Sequence, residues 1–470
     1  MTRRWFGTDG IRGRAEVGPL ATPFLVRLGR ALGEQALEEL HANGGGDAPL
    51  VLLARDTRES GPAITTALAE GLSQGGMSVM DLGVLPTPGL PMAMRERGAV
   101  RGIVVSASHN PWEDNGVKTF GPGGHKLTDD QERALEDRVE ALGGEEDHDV
   151  PAELEAGEVS APPIEYNGAV DYIGAMVRRF EHLDLAGMRL TVDCAHGAAS
   201  VTAPFVLQEL GAQVAPLCCE PNGRNINDDC GSTHLGLVSV STVAGGSDLG
   251  LAFDGDADRV LMVDAQGRTC TGDHMLGFLG TWFHDTGKLP GDTVVATVMS
   301  NLGLERMLAE RDIRLMRASV GDRYVHAAMR EGGFGLGGEA SGHLLFGAEN
   351  DFTGDGLYTA LRVLEGLVET GKTLEQVVDA VPEVPQLLLN VPLEARPPVE
   401  RLPGLLDRVA VAEAEHGDDI RIVLRYSGTE NLARVMVEGV DAGVVENLTS
   451  ELAELWKDQV ALHGPQGAPA

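Results

Sequence analysis

Val51-Leu52-Leu53-Ala54 is an apolar run of β character that stops at Asp56 and at the turn Ser60-Gly61. A helical pattern follows, with Ile64, Leu68 and Leu72 on one stripe, and a second β run begins near Met77-Ser78-Val79-Met80. The same order returns twice. Leu190-Thr191-Val192-Asp193 turns at His196-Gly197 and returns at Gln213-Val214-Ala215. Thr293-Val294-Val295-Ala296 turns at Ser300-Asn301-Leu302-Gly303 and returns at Ile313-Arg314-Leu315-Met316. Three strand–loop–helix–strand units predict three α/β domains of similar build. A chain of 470 residues is too long for one core, so several domains are expected.

Beyond the third unit the character changes. Apolar residues alternate around Ile420-Arg421-Ile422-Val423-Leu424 and Val435-Met436-Val437, and Leu448, Leu452 and Leu455 lie on one helical stripe. This predicts a smaller α+β domain. Gly143 to Pro163, acidic and rich in Gly and Pro, reads as a linker, and so does Pro385 to Pro403. The expected limits are 1–160, 161–266, 267–385 and 386–470.

The formal net charge of −34 excludes a nucleic-acid or membrane-surface binder, since both need a basic stripe. No apolar run reaches the roughly 20 residues that span a bilayer, and the polar start Met1-Thr2-Arg3-Arg4-Trp5 predicts a cytoplasmic address. Five cysteines, an odd number without a C-x-x-C pair, argue against a disulfide framework and a zinc ribbon, and read as buried thiols. An anionic substrate must therefore be held by a local cluster of donors.

Four segments carry chemistry. In Gly102-Ile103-Val104-Val105-Ser106-Ala107-Ser108-His109-Asn110-Pro111 a buried strand runs into a small-residue turn with Ser108 at its point, suited to a nucleophile or a phosphate carrier. In Phe253-Asp254-Gly255-Asp256-Ala257-Asp258-Arg259 three carboxylates at alternate positions can converge on one Mg²⁺. An EF-hand is excluded, because its glycine and glutamate positions hold Arg259 and Ala265. An aspartyl phosphatase, with Asp254 as nucleophile, stays open at this point. Gly337-Gly338-Glu339-Ala340-Ser341-Gly342-His343 pairs a carboxylate and a hydroxyl suited to sugar hydroxyls. Leu424-Arg425-Tyr426-Ser427-Gly428-Thr429-Glu430-Asn431, with Arg434 beyond, offers a guanidinium, hydroxyls and open backbone N–H groups, as a phosphate monoester needs.

In order and spacing these four segments resemble the α-D-phosphohexomutase superfamily over nearly the whole chain. Phe6-Gly7-Thr8-Asp9-Gly10-Ile11-Arg12-Gly13, Asn225-Ile226-Asn227 with Cys230-Gly231-Ser232-Thr233-His234, and Val320-Gly321-Asp322-Arg323-Tyr324-Val325 look like its amino-sugar branch. The resemblance implies four domains around a central cleft, three similar α/β domains and a smaller C-terminal one. It implies that Ser108 is the phosphoserine, that Asp254, Asp256 and Asp258 hold Mg²⁺ with a phosphoserine oxygen, and that Glu339 and Ser341, with His343, contact the sugar. Arg425, Ser427, Gly428 and Thr429 would hold the non-reacting phosphate. Arg12 and Lys118 would stand beside the reacting group, with Lys118 the candidate for proton traffic and His109 and His343 the other options. Ala340 stands where this branch commonly has glutamine, and Tyr426-Ser427 replaces a frequent Pro-Ser.

The implied activity interconverts glucosamine 6-phosphate and glucosamine 1-phosphate through a sugar 1,6-bisphosphate, in the supply of amino-sugar nucleotides for cell-wall precursors. The expected partner is a small phosphosugar, with neither nucleic acid nor membrane, and a homodimer is left open. The alternatives are the same chemistry on neutral hexose phosphates, the aspartyl phosphatase, and a silent phosphosugar-binding protein.

Overall fold

A computed structural model describes residues 4–7, 9–42, 49–143, 163–427 and 432–463. The predicted Gly428 and Thr429, and most of the Gly143–Pro163 stretch, lie outside the described residues. Each predicted strand–helix–strand unit is present: Leu50–Arg55, Gly61–Gln74 and Ser78–Val84; Arg189–Asp193, Ala203–Glu209 and Gln213–Leu217; Thr293–Thr297, Leu302–Ala309 and Arg314–Ala318. In every unit the two strands pair in parallel, as a helical crossover requires.

Each unit then adds the same two strands. The opening strand pairs in parallel on its other side with Arg101–Val105, Leu249–Phe253 or Leu336–Gly338. That third strand turns straight back into an antiparallel partner, Asp114–Phe120, Val260–Asp264 or Leu344–Phe346. The turns between them hold Ser108, the three aspartates, and Glu339 with Ser341 and His343. Three of the four chemical motifs are thus one and the same turn, at the carboxyl end of the third strand of each repeat, where open α/β sheets place their ligands.

Alternation along the strands fixes the layers. Val51 and Leu53 face one core cluster of the first unit, with Leu28, Leu68 and Ile103, while Leu52 and Ala54 face another. The second cluster is continuous through Leu190, Leu251, Val294 and Leu336, so one apolar body joins the three units and holds their turns in fixed relation. Edge strands extend two of the sheets, Ile164–Glu165 beside Ser78–Val84 and Thr269–Cys270 beside Val260–Asp264.

The last unit is separate in its packing. Its sheet runs Gln386–Pro392, Leu432–Gly439, Ile420–Tyr426, all antiparallel, over a core of its own around Trp456. The linker reading of Pro385–Pro403 is corrected here, because Gln386–Pro392 is an edge strand. Its prolines mask the pattern from sequence, yet Leu387, Leu389 and Val391 alternate inward. Hydrogen bonds join this unit to the third: Arg421 donates to Val298 O (2.8 Å) and Ser300 O (3.0 Å), and Gln386 to Met299 O (3.3 Å). Among the described residues no helix is long and apolar enough to cross a membrane.

Candidate active site

Ser108 sits at the point of its turn with φ 52° and is buried. Left-handed backbone at a non-glycine residue is costly and needs a supporting frame. Arg58 and Asp56, both fully buried, supply it. Asp56 accepts from Ser106 Oγ (2.7 Å) and from Arg58 Nε (2.9 Å). The Arg58 guanidinium donates to the carbonyls of Ser108 (2.9 Å), Asn110 (2.9 Å), Asp114 (2.9 Å) and Pro111. From the second unit Asn227 Nδ2 reaches Ser108 O at 2.9 Å. Sequence reading missed Asp56 and Arg58, whose partners lie some fifty residues away.

So held, Ser108 Oγ donates to Asp254 Oδ2 at 2.6 Å and lies 3.3 Å from His109 Nδ1. The close approach requires Gly255: a Cβ there would stand 2.5 Å from Ser108 O. Carboxylate oxygens of Asp254, Asp256 and Asp258 all lie within 4.8 Å of one another. Burial pushes the Asp254 carboxyl well up, and Asp258 and Asp256 add to it. Asp256 Oδ2 accepts from Thr87 Oγ1 (2.6 Å) and Lys118 Nζ (2.7 Å), while its buried Oδ1 has no hydrogen-bond partner among the described residues. A buried carboxylate oxygen left without a donor is what a cation ligand looks like. The donor set therefore fits a hard divalent ion.

Lys118 is buried between Asp9 (3.1 Å), Asp256 and Asp258 (3.2 Å). Burial disfavours its charge, but these carboxylates outweigh it and hold the ammonium well above the usual lysine range. It is a fixed cation here. His343 lies 3.5 Å from Asp258 and 3.8 Å from Asp322; despite burial these raise its imidazole to about 9. His109 differs. Burial, with Arg259 and Arg12 nearby, lowers it to about 4, so it is neutral at neutral pH.

His109, Asp258 and His343 open onto a cavity of about 440 Å³ whose wall also holds Asp9, Arg12, Arg259, Asp322 and Glu339, among others. Arg12 pairs with Asp9 at 2.6 Å. Lys126 bridges Asp9 and Asp322, each at 2.6 Å, and so ties the first unit to the third. Glu339 accepts from Gly321 N (3.2 Å) and has Ser341 Oγ at 3.5 Å. Asp9, Asp322 and Arg259 stood in quoted motifs but were not picked out as site residues. Arg425 and Ser427 are not in this wall. Arg425 faces Arg434 across the strand pair, where burial and the second guanidinium lower its pKa, while Ser427 O accepts from Arg396 (3.0 Å).

Three repeated α/β units whose equivalent turns meet on a serine, a carboxylate triad and a sugar-sized cavity, with a fourth unit beside them, define a phosphohexomutase. The chain matches the phosphoglucomutase/phosphomannomutase family in all four parts: alpha/beta/alpha domain I over 3–145, domain II over 170–267, domain III over 271–384 and the C-terminal domain over 388–455. It is 42% identical to a phosphoglucosamine mutase of Rhodococcus opacus, over 96% of this chain and 98% of the relative. The chain belongs to the phosphoglucosamine mutase family. In fold it is similar to a phosphoglucomutase/phosphomannomutase family protein of Burkholderia thailandensis (TM-score 0.75, 24% identity, 98% of each chain). It is also similar to the N-acetylphosphoglucosamine mutase of Aspergillus fumigatus in complex with GlcNAc-6P and magnesium (TM-score 0.62, 18% identity, 97% of this chain and 96% of that one).

Proposed function

We propose that this chain interconverts glucosamine 6-phosphate and glucosamine 1-phosphate by way of a phosphorylated Ser108. The observation that carries the reading is the Ser108 hydroxyl, buried and aimed at Asp254 beside a neutral imidazole. In the first half-reaction the P–Oγ bond of phospho-Ser108 breaks and a bond forms to O1 of the sugar. The O1 proton is released as that bond forms and ends on the freed Ser108 Oγ, and His109, neutral and 3.3 Å from that oxygen, is placed to relay it. The sugar 1,6-bisphosphate then turns over, its 6-phosphoryl returns to Ser108, and glucosamine 1-phosphate leaves.

Phosphoryl transfer needs charge neutralisation more than covalent help. Arg12 and Arg259 stand in the cavity wall to supply it. Asp254, Asp256 and Asp258 would hold Mg²⁺ together with a phosphoserine oxygen; the ion, when bound, offsets negative charge on the phosphoryl oxygens. Lys118, held charged by Asp256, Asp258 and Asp9, neutralises these carboxylates. Glu339 and Ser341 take the sugar hydroxyls and the C2 ammonium. Arg425, Ser427, Gly428 and Thr429 take the non-reacting phosphate. The acidic surface and the small phosphosugar substrate suit a cytoplasmic enzyme.

A coupled mutase assay across amino and neutral hexose phosphates tests this. Glucosamine 6-phosphate should be the preferred substrate. Equal or better use of glucose 6-phosphate or mannose 6-phosphate would move the assignment to the neutral sugars, and release of inorganic phosphate in place of isomerisation would favour the aspartyl phosphatase.

A further inference from the structure

Behind the aspartate turn, the second unit gathers side chains that the cleft chemistry does not use. His196, Cys218 and Cys230 each offer one ligand atom, and the three atoms lie within 4.8 Å of one another. Ligands about 2.0–2.3 Å from a tetrahedral zinc stand roughly 3.3–3.8 Å apart, so small side-chain adjustments close such a set. Two sulfurs and an imidazole form a soft donor set, unlike the all-oxygen aspartate turn, and soft sets select thiophilic cations over Mg²⁺.

The three come from separate segments that the backbone locks together. His196 follows strand Arg189–Asp193, and Cys218 follows strand Gln213–Leu217, which pairs beside it. His196 N donates to Cys218 O at 2.6 Å, and Asn227 N donates to Ala195 O at 2.9 Å. Buried Asp193 clasps both turns, accepting from Ala195 N (2.9 Å) and from Gly231 N (2.8 Å), the neighbours of His196 and Cys230. Such a frame fixes ligand directions before any ion arrives. Cys230 is buried while His196 and Cys218 are half-buried, which leaves an entry side.

We propose that His196, Cys218 and Cys230 form a second metal site that takes a thiophilic divalent cation of the zinc class. Binding releases the two thiol protons to solvent and leaves a fourth position for water. The site backs the reactive turn. Thr57 Oγ1 donates to His196 O (2.6 Å), a Cβ on Gly197 would stand 2.3 Å from Gly255 O, and Asn227 in the Cys230 loop donates to Ser108 O (2.9 Å) and Asn110 O (3.0 Å). An ion there stiffens the wall on which Ser108 and the aspartates rest.

Co²⁺ is the probe, titrated into the reduced, metal-free full chain. One equivalent should give a thiolate-to-cobalt charge-transfer band in the near ultraviolet with the intense visible bands of four-coordinate Co²⁺. Zn²⁺ should abolish both, and excess Mg²⁺ should leave them. Cys218→Ser, at a half-buried position, should remove about half or more of the ultraviolet band, which the two thiolates share, and weaken zinc binding at least about tenfold. His196→Asn should shift the visible bands while keeping thiolate absorption. Asp256→Asn should change neither. Absence of a thiolate band in the native chain, or a band unchanged in both Cys218→Ser and His196→Asn, overturns the proposal.

Discussion

Ser108 Oγ and Asp254 Oδ2, 146 residues apart in sequence, meet at 2.6 Å, with the hydroxyl donating and the carboxylate accepting. Phosphorylation of the serine removes that donor and sets a phosphate against a carboxylate, an arrangement that only added positive charge can hold. In the proposed mechanism this one contact links the nucleophile, its carrier state and the need for a cation.

Ser108→Ala should lower mutase turnover by at least about a thousandfold, because the covalent route is lost while the aspartate turn stays in place. Peptide mapping of the active native enzyme should find phosphate on Ser108. Phosphate trapped on Asp254 would instead make the aspartate the nucleophile.

Chelation should abolish turnover, and added Mg²⁺ should restore it. In Asp256→Asn the new amide keeps the side-chain shape but loses the charge that faces Lys118 at 2.7 Å. Metal-dependent activity should fall at least about a hundredfold with the far-ultraviolet circular dichroism unchanged. Full activity in excess EDTA would remove the metal from the mechanism.

Sequence reading reached the repeats because each opening strand, such as Val51–Ala54, is a short apolar run closed by a turn, and those signals are local. It reached Ser108 and the aspartates for the same reason, since each sits where a strand stops. The equivalence of the three turns was not legible, for it lives in the antiparallel return strand of each sheet. Arg58 was out of reach because nothing near it in sequence marks the carbonyls of Ser108 to Asp114 as its partners. Gln386–Pro392 was hidden by its prolines. The His196–Cys218–Cys230 cluster was hidden because it is assembled from three segments, while cysteine spacing speaks only of one.

Arg58→Ala should be costly to stability as well as activity. It leaves Asp56 buried without its cation and takes one donor from each of four carbonyls, of which Ser108 O and Asn110 O keep only Asn227 Nδ2, and breaking a fully buried pair costs about 3–5 kcal/mol. Urea unfolding should register that loss. Arg58→Lys, which restores the charge but not the fork, should recover part of the stability and little of the turnover. A Lys variant with native turnover would mean that the guanidinium geometry does not position Ser108.

Glu339 stands in the cavity wall, and its carboxylate already takes a backbone N–H from Gly321; in the proposed reading it also accepts from the sugar. A charge-assisted hydrogen bond to the C2 ammonium is worth about 1.5–3 kcal/mol, which favours the amino sugar over glucose 6-phosphate at least about tenfold in kcat/KM. Glu339→Gln should weaken both substrates and the amino sugar more. Equal losses on the two sugars would mean that Glu339 reads only the hydroxyls they share.

The interface between the first and third units should respond to mild acid through His326. Its ring lies 6.2 Å from that of His125, with Arg330 close by; burial, then Arg330 and His125, lower it to about 4 from an ordinary 6.5, while Asp322 pulls the other way and Lys126 adds slightly to the lowering. Burial also lowers His125, with Arg330 and Arg95 adding to it against Asp351. A histidine depressed in the fold binds fewer protons there than in the unfolded chain. Its contribution is therefore complete above about pH 6.5 and is lost progressively as pH falls toward 4. Since the ring is partly exposed, the loss should be only about 1–2 kcal/mol. Many buried carboxylates titrate in the same range, so the quantity to measure is the difference between the native chain and His326→Gln, whose side chain stays neutral. The native chain should lose more stability than the variant between neutrality and about pH 4.5 in urea unfolding, and the two should run parallel above about pH 7. Parallel curves over the whole range would mean that His326 titrates in the fold as it does in the unfolded chain.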